Sequence, residues 1–286
     1  MSRDGVVRAL TDDGSFRVIA AVTTDTVRGA AAAQGASGAT ARRFGELVTG
    51  AVLVREVMAP QLRVQAILKG APGRGSLIAD SHPDGSTRGL VNFGASGAEA
   101  VAPGAESSGL LQVMRTMPNG ALHQGVVSVP PAGGVEDALM TYFQESEQIV
   151  SVAGVAALDA GGEITAAGGF VVQLLPEVGR GPLMIMTERL QSGLSLEAML
   201  RTDEPTAEGL LDELLYGMTF TCVGAAEVAF RCHCSELRLI ESLATLPAGD
   251  IADMLSSAEP LEIRCDYCKR DYAIAPEALR SAVTPN

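Results

Sequence analysis

At 286 residues, 47% of them hydrophobic, the chain has enough apolar side chains for one large domain or two smaller ones. It has no Trp and only 4% aromatic residues, so its core must be built from Ala, Val, Leu and Ile. A net charge of -13 has the wrong sign for loose contact with nucleic acid, which needs a positive field. In chain order, the opening MSRDGVVRALTDDG carries Asp4, Asp12 and Asp13 without an apolar stretch and does not read as a secretory signal. GSFRVIAAV, Gly14 to Val22, reads as a strand. Thr24 or Asp25 is placed to cap a short helix through Ala33. A second helix is predicted from Thr40 to Met58, with Phe44, Leu47, Val48, Ala51 and Val52 on one face. QLRVQAIL, GSLIAD and GLVNFG follow, separated by the turn-rich GAPGR and SHPDGS, which predicts an antiparallel meander. LLQVMRTM and HQGVVSV flank Pro118-Asn119-Gly120 as a hairpin. Val135 to Ile149 reads as a helix, and SVAGVAAL with GGFVVQLL as a strand pair joined through Asp159 to Gly162.

Short hairpins with a few helices predict an α+β fold rather than a doubly wound sheet. After Leu175-Pro176 the character changes to the amphipathic helical patterns LSLEAML and GLLDELLYGM, with a break at Glu204-Pro205. Boundaries near 176 and 230 give three parts. These are an antiparallel-sheet domain with packed helices (1–176), a helical linker (177–230) and a small C-terminal domain (231–286). The most apolar run, Ile149 to Leu158, is too short to span a bilayer, so no membrane partner is expected. A soluble cytoplasmic protein is the expectation, in a compartment where thiols stay reduced.

Four of the five cysteines stand as Cys232-x-Cys234, thirty residues, then Cys265-x-x-Cys268. Two close pairs across a spacer can supply four thiolates to one tetrahedral Zn2+. The spacer fits two short helices. Leu237, Ile240, Leu243 and Leu246 lie on one face of the first. Ile251, Met254 and Leu255 serve the second, with Asp250 as its cap. DYAI can pair back on LEI as a hairpin. About 55 residues hold little core of their own, so a metal staple would supply much of the folding energy. A permanent structural zinc without regulation is the other reading, and among metal sites generally it is the more common case. A disulfide framework fits a reducing compartment poorly. Arg231, Arg264, Lys269 and Arg270 flank the ligand positions and could offset the charge of four thiolates, or simply form a solvated basic edge. His233 sits between two ligand positions but is not expected to bind, since four cysteines already fill a structural site. Cys222, among small and apolar residues in TFTCVGAA, is expected to be buried and inert.

Other classes fit less well. Lys69 and Lys269 are the only lysines and neither follows a phosphate-loop pattern; no G-x-S-x-G elbow occurs, and His82 and His123 lack an evident nucleophile. A thiol-disulfide oxidoreductase would use CDYC alone at a helix start in a βαβ unit, not after LEIR. A zinc-ribbon nucleic-acid binder is disfavoured by six basic against nine acidic residues from Arg231 onward. The chain is not expected to be an enzyme.

CHC and CDYC at this spacing resemble the redox-regulated heat-shock protein 33 family of holdase chaperones, or 33 kDa chaperonins. AAVTTDTVRGAA, LVTGAVLV, YFQESEQI, AAGGFVVQLLP and LSLEAMLR resemble that family's segments in the same order, so the likeness spans nearly the whole chain. HQGVV, where a Tyr-containing version is usual, and His233 are departures that leave the cysteines untouched. The resemblance implies one Zn2+ per chain on Cys232, Cys234, Cys265 and Cys268 in a reduced, inactive form. It implies that peroxide or hypochlorous acid forms Cys232–Cys234 and Cys265–Cys268 disulfides, releasing zinc and unfolding the C-terminal domain. The linker, with Leu210, Leu211, Leu214, Leu215 and Met218, would then uncover apolar surface on the N-terminal domain. Unfolding client proteins would bind there, and the oxidised form would be a homodimer.

Overall fold

Small and β-branched side chains dominate both stretches before the first helix, and both become strands: β1 (Gly5–Thr11) and β2 (Phe16–Val22). The computed structural model describes residues 4–58, 60–70, 75–94, 109–130, 133–176, 181–192, 194–256 and 259–283. Two units separate, Met1–Arg231 and Cys232–Asn286. The first continues with α1 (Thr24–Gln34), α2 (Gly38–Met58), β3 (Arg63–Lys69), β4 (Gly75–Ser81), β5 (Ser86–Phe93), β6 (Gly109–Thr116) and β7 (Leu122–Val129). Then come α3 (Val135–Thr141), β8 (Ser151–Ala160), β9 (Glu163–Leu174), α4 (Gly181–Ser192), α5 (Leu196–Leu200), α6 (Ala207–Leu214), β10 (Phe220–Glu227) and β11 (Ala229–Phe230). One sheet, in the order β10-β1-β2-β9-β8, is antiparallel throughout. The other, β11-β5-β4-β3-β6-β7, is antiparallel except for the β11–β5 pair. The α+β class and the expected meander and hairpins are all present. The GAPGR turn lies largely outside the described residues.

Helix α2 touches strands of both sheets. The expected one-sided stripe is therefore wider in fact: every residue from Leu47 to Val57 is buried. Its two charged members are paired. Glu56 holds Arg55 at 2.6 Å and also takes Arg8, while Arg55 donates to the His82 carbonyl. Strand β2 is buried on both faces. Ile19 and Ala21 join the core around α2, and Phe16, Val18, Ala20 and Val22 join a second core with Leu210, Leu211 and Leu214 of α6. That double burial is why FRVIAAV is a continuous apolar run rather than an alternating one.

Several local expectations are corrected. Thr23, not Thr24 or Asp25, is the N-cap of α1, and its side chain makes no cap bond. The carboxylate of Asp4 replaces it, accepting from the amides of Asp25 (3.1 Å) and Thr26 (2.6 Å). The helix predicted over Val135–Ile149 stays α-helical only to Thr141. Residues Tyr142–Ser146 form a π-helical turn closed by the Glu147 amide on the Tyr142 carbonyl, and the Tyr142 hydroxyl bonds Glu147. TFTCVGAA, which has no helical period, is strand β10. It lies at the edge of its sheet with little covering it, so Cys222 is exposed rather than buried.

The second unit comprises α7 (Glu236–Leu243), α8 (Ala248–Ser256), β12 (Leu261–Arg264), β13 (Asp271–Ile274) and α9 (Pro276–Val283). The hairpin expected from LEI and DYAI is formed, pairing Leu261 with Ile274 and Arg264 with Asp271. Ile240, Ile274 and Leu279 form a small buried apolar cluster, flanked by Leu239, Leu243, Met254, Leu255, Leu261 and Ile263, and Ile251 of α8 is buried as well. Leu237, expected on the inner face of α7, is 65% exposed, because so small a core covers little more than one turn of the helix. Asp250 lies inside the first turn of α8 rather than at its cap, where it still favours the positive end of the helix dipole. Among the described residues, no helix is long and apolar enough to cross a membrane.

Candidate metal centre

Two short knuckles, each bounded by regular structure, present the four cysteines. The first, Cys232-His233-Cys234, ends at Ser235. That residue caps α7 by accepting the Arg238 amide at 3.3 Å, so the helix begins directly after the second sulfur. Arg238 also donates to the His233 carbonyl at 3.0 Å. The second knuckle connects β12 to β13. Its turn closes through Lys269 N–H to the Cys265 carbonyl (2.8 Å) and Cys265 N–H to the Arg270 carbonyl (2.9 Å). Lys269 takes a left-handed φ of 59°, a conformation that costs a non-glycine residue about 1 kcal/mol and here lets the chain fold back beneath the sulfurs.

The four Sγ atoms all lie within 4.8 Å of one another. Cys232 to Cys265 is 3.8 Å and Cys234 to Cys268 is 3.3 Å, so each sulfur of the first knuckle meets one of the second. Sulfurs bound tetrahedrally to zinc at about 2.3 Å stand about 3.8 Å apart, so the cluster has the size that such an ion requires. Cys265 is buried and the other three are half-buried. His233 is not part of the group.

The crowded sulfurs also shift one another's ionisation. Burial opposes ionisation of Cys234. Hydrogen bonds from Tyr272 and from the other three cysteines outweigh it and bring this thiol down to about 7. Burial first, then the sulfurs of Cys234 and Cys265, push Cys268 up to about 12. One proton is therefore lost easily and the next with difficulty, as expected for thiols crowded together without a counter-ion. Of the basic residues flanking the sulfurs, Arg270 feels Tyr272 first and then Cys234 and Cys268, which push its pKa up. Arg264 is committed to Asp271 through two bonds of 2.6 and 2.9 Å. Arg231 belongs to the first unit, where its amide bonds the Thr87 carbonyl. The contact that sequence reading missed is the Tyr272 hydroxyl, 3.1 Å from Cys234 Sγ and 3.2 Å from the Cys234 carbonyl oxygen. No spacing rule links a tyrosine four residues past one knuckle to a sulfur in the other.

Comparison with known proteins gives a uniform result. The family model described as Hsp33 protein matches residues 4–275. The 33 kDa chaperonin of Syntrophotalea carbinolica is 28% identical, covering 98% of this chain and 99% of its own. That of Thermus thermophilus is also 28% identical, over 97% of this chain and 86% of its own. Among solved structures, that of the 33 kDa chaperonin (heat shock protein 33 homologue) of Thermotoga maritima superposes with a TM-score of 0.80. It covers 99% of this chain and 98% of that one at 22% identity.

Proposed function

The chain belongs to the Hsp33 protein family, and from that premise we propose that it is a redox-regulated holdase of the cytoplasm, held inactive while its thiols are reduced. Family membership supports the chaperone function, and the thiol cluster supports the regulation. In the reduced protein, Cys232, Cys234, Cys265 and Cys268 hold one Zn2+. Bound there, the ion would tie the two knuckles together and neutralise most of their charge.

A thiolate is the oxidisable form of cysteine, and the sulfurs of each knuckle are close enough to join. Each disulfide, Cys232–Cys234 and Cys265–Cys268, takes two electrons from its sulfurs. One equivalent of peroxide accepts them and becomes water. Disulfide formation removes the donors that held the metal. It closes only local loops, so nothing then replaces the link between knuckles, and the four buried aliphatic side chains among the described residues are too few to keep the unit folded. In this reading the chain has three functional parts: the client-binding and dimerisation domain 1–176, the regulatory linker 177–230 and the switch 231–286. Loss of the switch loosens the linker. Leu210, Leu211 and Leu214 then leave the apolar face of β1 and β2, which becomes available to unfolding clients, and the oxidised protein dimerises.

The observation that carries this reading is four sulfurs from two knuckles within 4.8 Å in a unit with so little core. The test is suppression of a client's thermal aggregation by the purified protein, with and without prior peroxide treatment under mild heating. Suppression only after oxidation is expected. Equal activity in both states removes the switch, and none in either removes the chaperone assignment.

A further inference from the structure

The zinc-thiolate reading leaves one polar contact without a task. Tyr272 lies on β13 opposite Ile263 of β12, two residues before Cys265, and its side chain is half-buried. The hairpin that carries the second knuckle thus also sends a hydroxyl to the first, 3.1 Å from Cys234 Sγ. That hydroxyl is within reach of the Cys234 carbonyl as well, at 3.2 Å, so its single proton has two acceptors on one residue. When the sulfur is a metal-bound thiolate it carries more negative charge than the carbonyl, and hydrogen bonds to ionised acceptors are the stronger kind.

We propose that Tyr272 is a positioning residue that sets how readily Cys234 reacts, by donating its O–H to the metal-bound thiolate. The donation draws electron density from sulfur. It favours the metal-loaded state, in which four thiolates crowd one ion, and it slows attack on a hydroperoxide. In that attack the Cys234 sulfur bonds to one peroxide oxygen, the O–O bond breaks, hydroxide leaves, and sulfur is oxidised by two electrons to a sulfenic acid. A second thiolate then displaces hydroxide from that sulfur and forms the disulfide. Tyr272 keeps its proton throughout and only raises the barrier to the first step.

The inference rests on the zinc-thiolate reading, so wild-type and Tyr272→Phe full-length proteins are compared in parallel. Two readouts are used: the sulfur-to-metal charge-transfer band of the Co2+-substituted protein, and the rate of peroxide-driven Zn2+ release into a colorimetric chelator. With the hydroxyl gone, the band should move to lower energy, metal affinity should fall roughly tenfold and release should become several-fold faster. A merely structural tyrosine could lower affinity but would leave the band in place, and an unmoved band overturns the proposal. If Tyr272→Phe does not fold, 3-fluorotyrosine at the same position keeps the ring and strengthens the donor. The band should then move to higher energy and release should slow, and no change overturns the proposal equally. A wild-type protein that binds neither metal removes the zinc reading itself. A wild-type protein that binds and releases metal while both variants match it removes only the role of Tyr272.

Discussion

Glu46, half-buried on α2, shows how far a charged side chain can be from its ordinary behaviour. Burial is the main cause, and Glu136 and Glu197 add to it against the pull of Arg43 and Arg42; together they raise this carboxyl from 4.5 to about 7. The native state therefore keeps a proton that the unfolded chain releases near 4.5. Stability from this group is present at low pH and is lost as pH rises from about 4.5 through 7. Glu46→Gln should raise stability by about 1–3 kcal/mol at pH 8 and by almost nothing at pH 4. Urea unfolding of both proteins at the two pH values measures the difference. A contrasting case is Asp80, which is fully buried and for which burial alone would raise the pKa. Hydrogen bonds from His82 and Arg63 reverse that and hold it far below the usual carboxylate range. Neither outcome was legible in the sequence, because each depends on side chains brought in from other elements. The four clustered cysteines were legible, because short-range spacing alone restricts what they can do. Cys222 was not, since its exposure follows from what fails to cover β10.

At the scale of elements, helix α6 is the one on which the proposed switch turns. Thr206 caps it by accepting the Gly209 amide at 3.0 Å, and Leu210, Leu211 and Leu214 are all buried against the outer face of β1 and β2. Its period was plain in GLLDELL. What the pattern could not state was the surface that it covers, since β1 was not anticipated and β2 reads as apolar on both faces. Leu214→Ala should cost about 2–5 kcal/mol in the stability of this contact. Faster amide exchange in 207–214 should result, together with partial suppression of client aggregation by the reduced protein. If exchange quickens and the reduced protein stays inactive, α6 is ordinary core and not the gate.

For the whole molecule, the two units differ sharply in what holds them. The first has a continuous core between its sheets and a second core beneath α6. Among the described residues the second has four buried aliphatic side chains, Ile240, Ile251, Ile274 and Leu279, and four clustered thiols. A structural zinc site is worth roughly 10–16 kcal/mol of apparent binding energy, which in so small a unit becomes folding energy. Stripping metal from the reduced protein with a chelator should therefore abolish amide protection across 232–283 and leave 5–69 protected, as read by hydrogen exchange with mass spectrometry. Retained protection in the second unit would mean that its own contacts suffice and that oxidation cannot act by unfolding it.

The sequence by itself determined the α+β class, the hairpins, the amphipathic linker helices and the four thiols of the candidate centre, because turn chemistry, hydrophobic period and cysteine spacing are all local. Only the tertiary structure decided that α2 is buried all round from Leu47 to Val57, that Asp4 caps α1, that β10 completes the first sheet with Cys222 outward, and that Tyr272 reaches across to Cys234. These are contacts between residues distant in the chain. Local chemistry constrains which partners such residues accept, but the way the chain folds back decides which partners they meet.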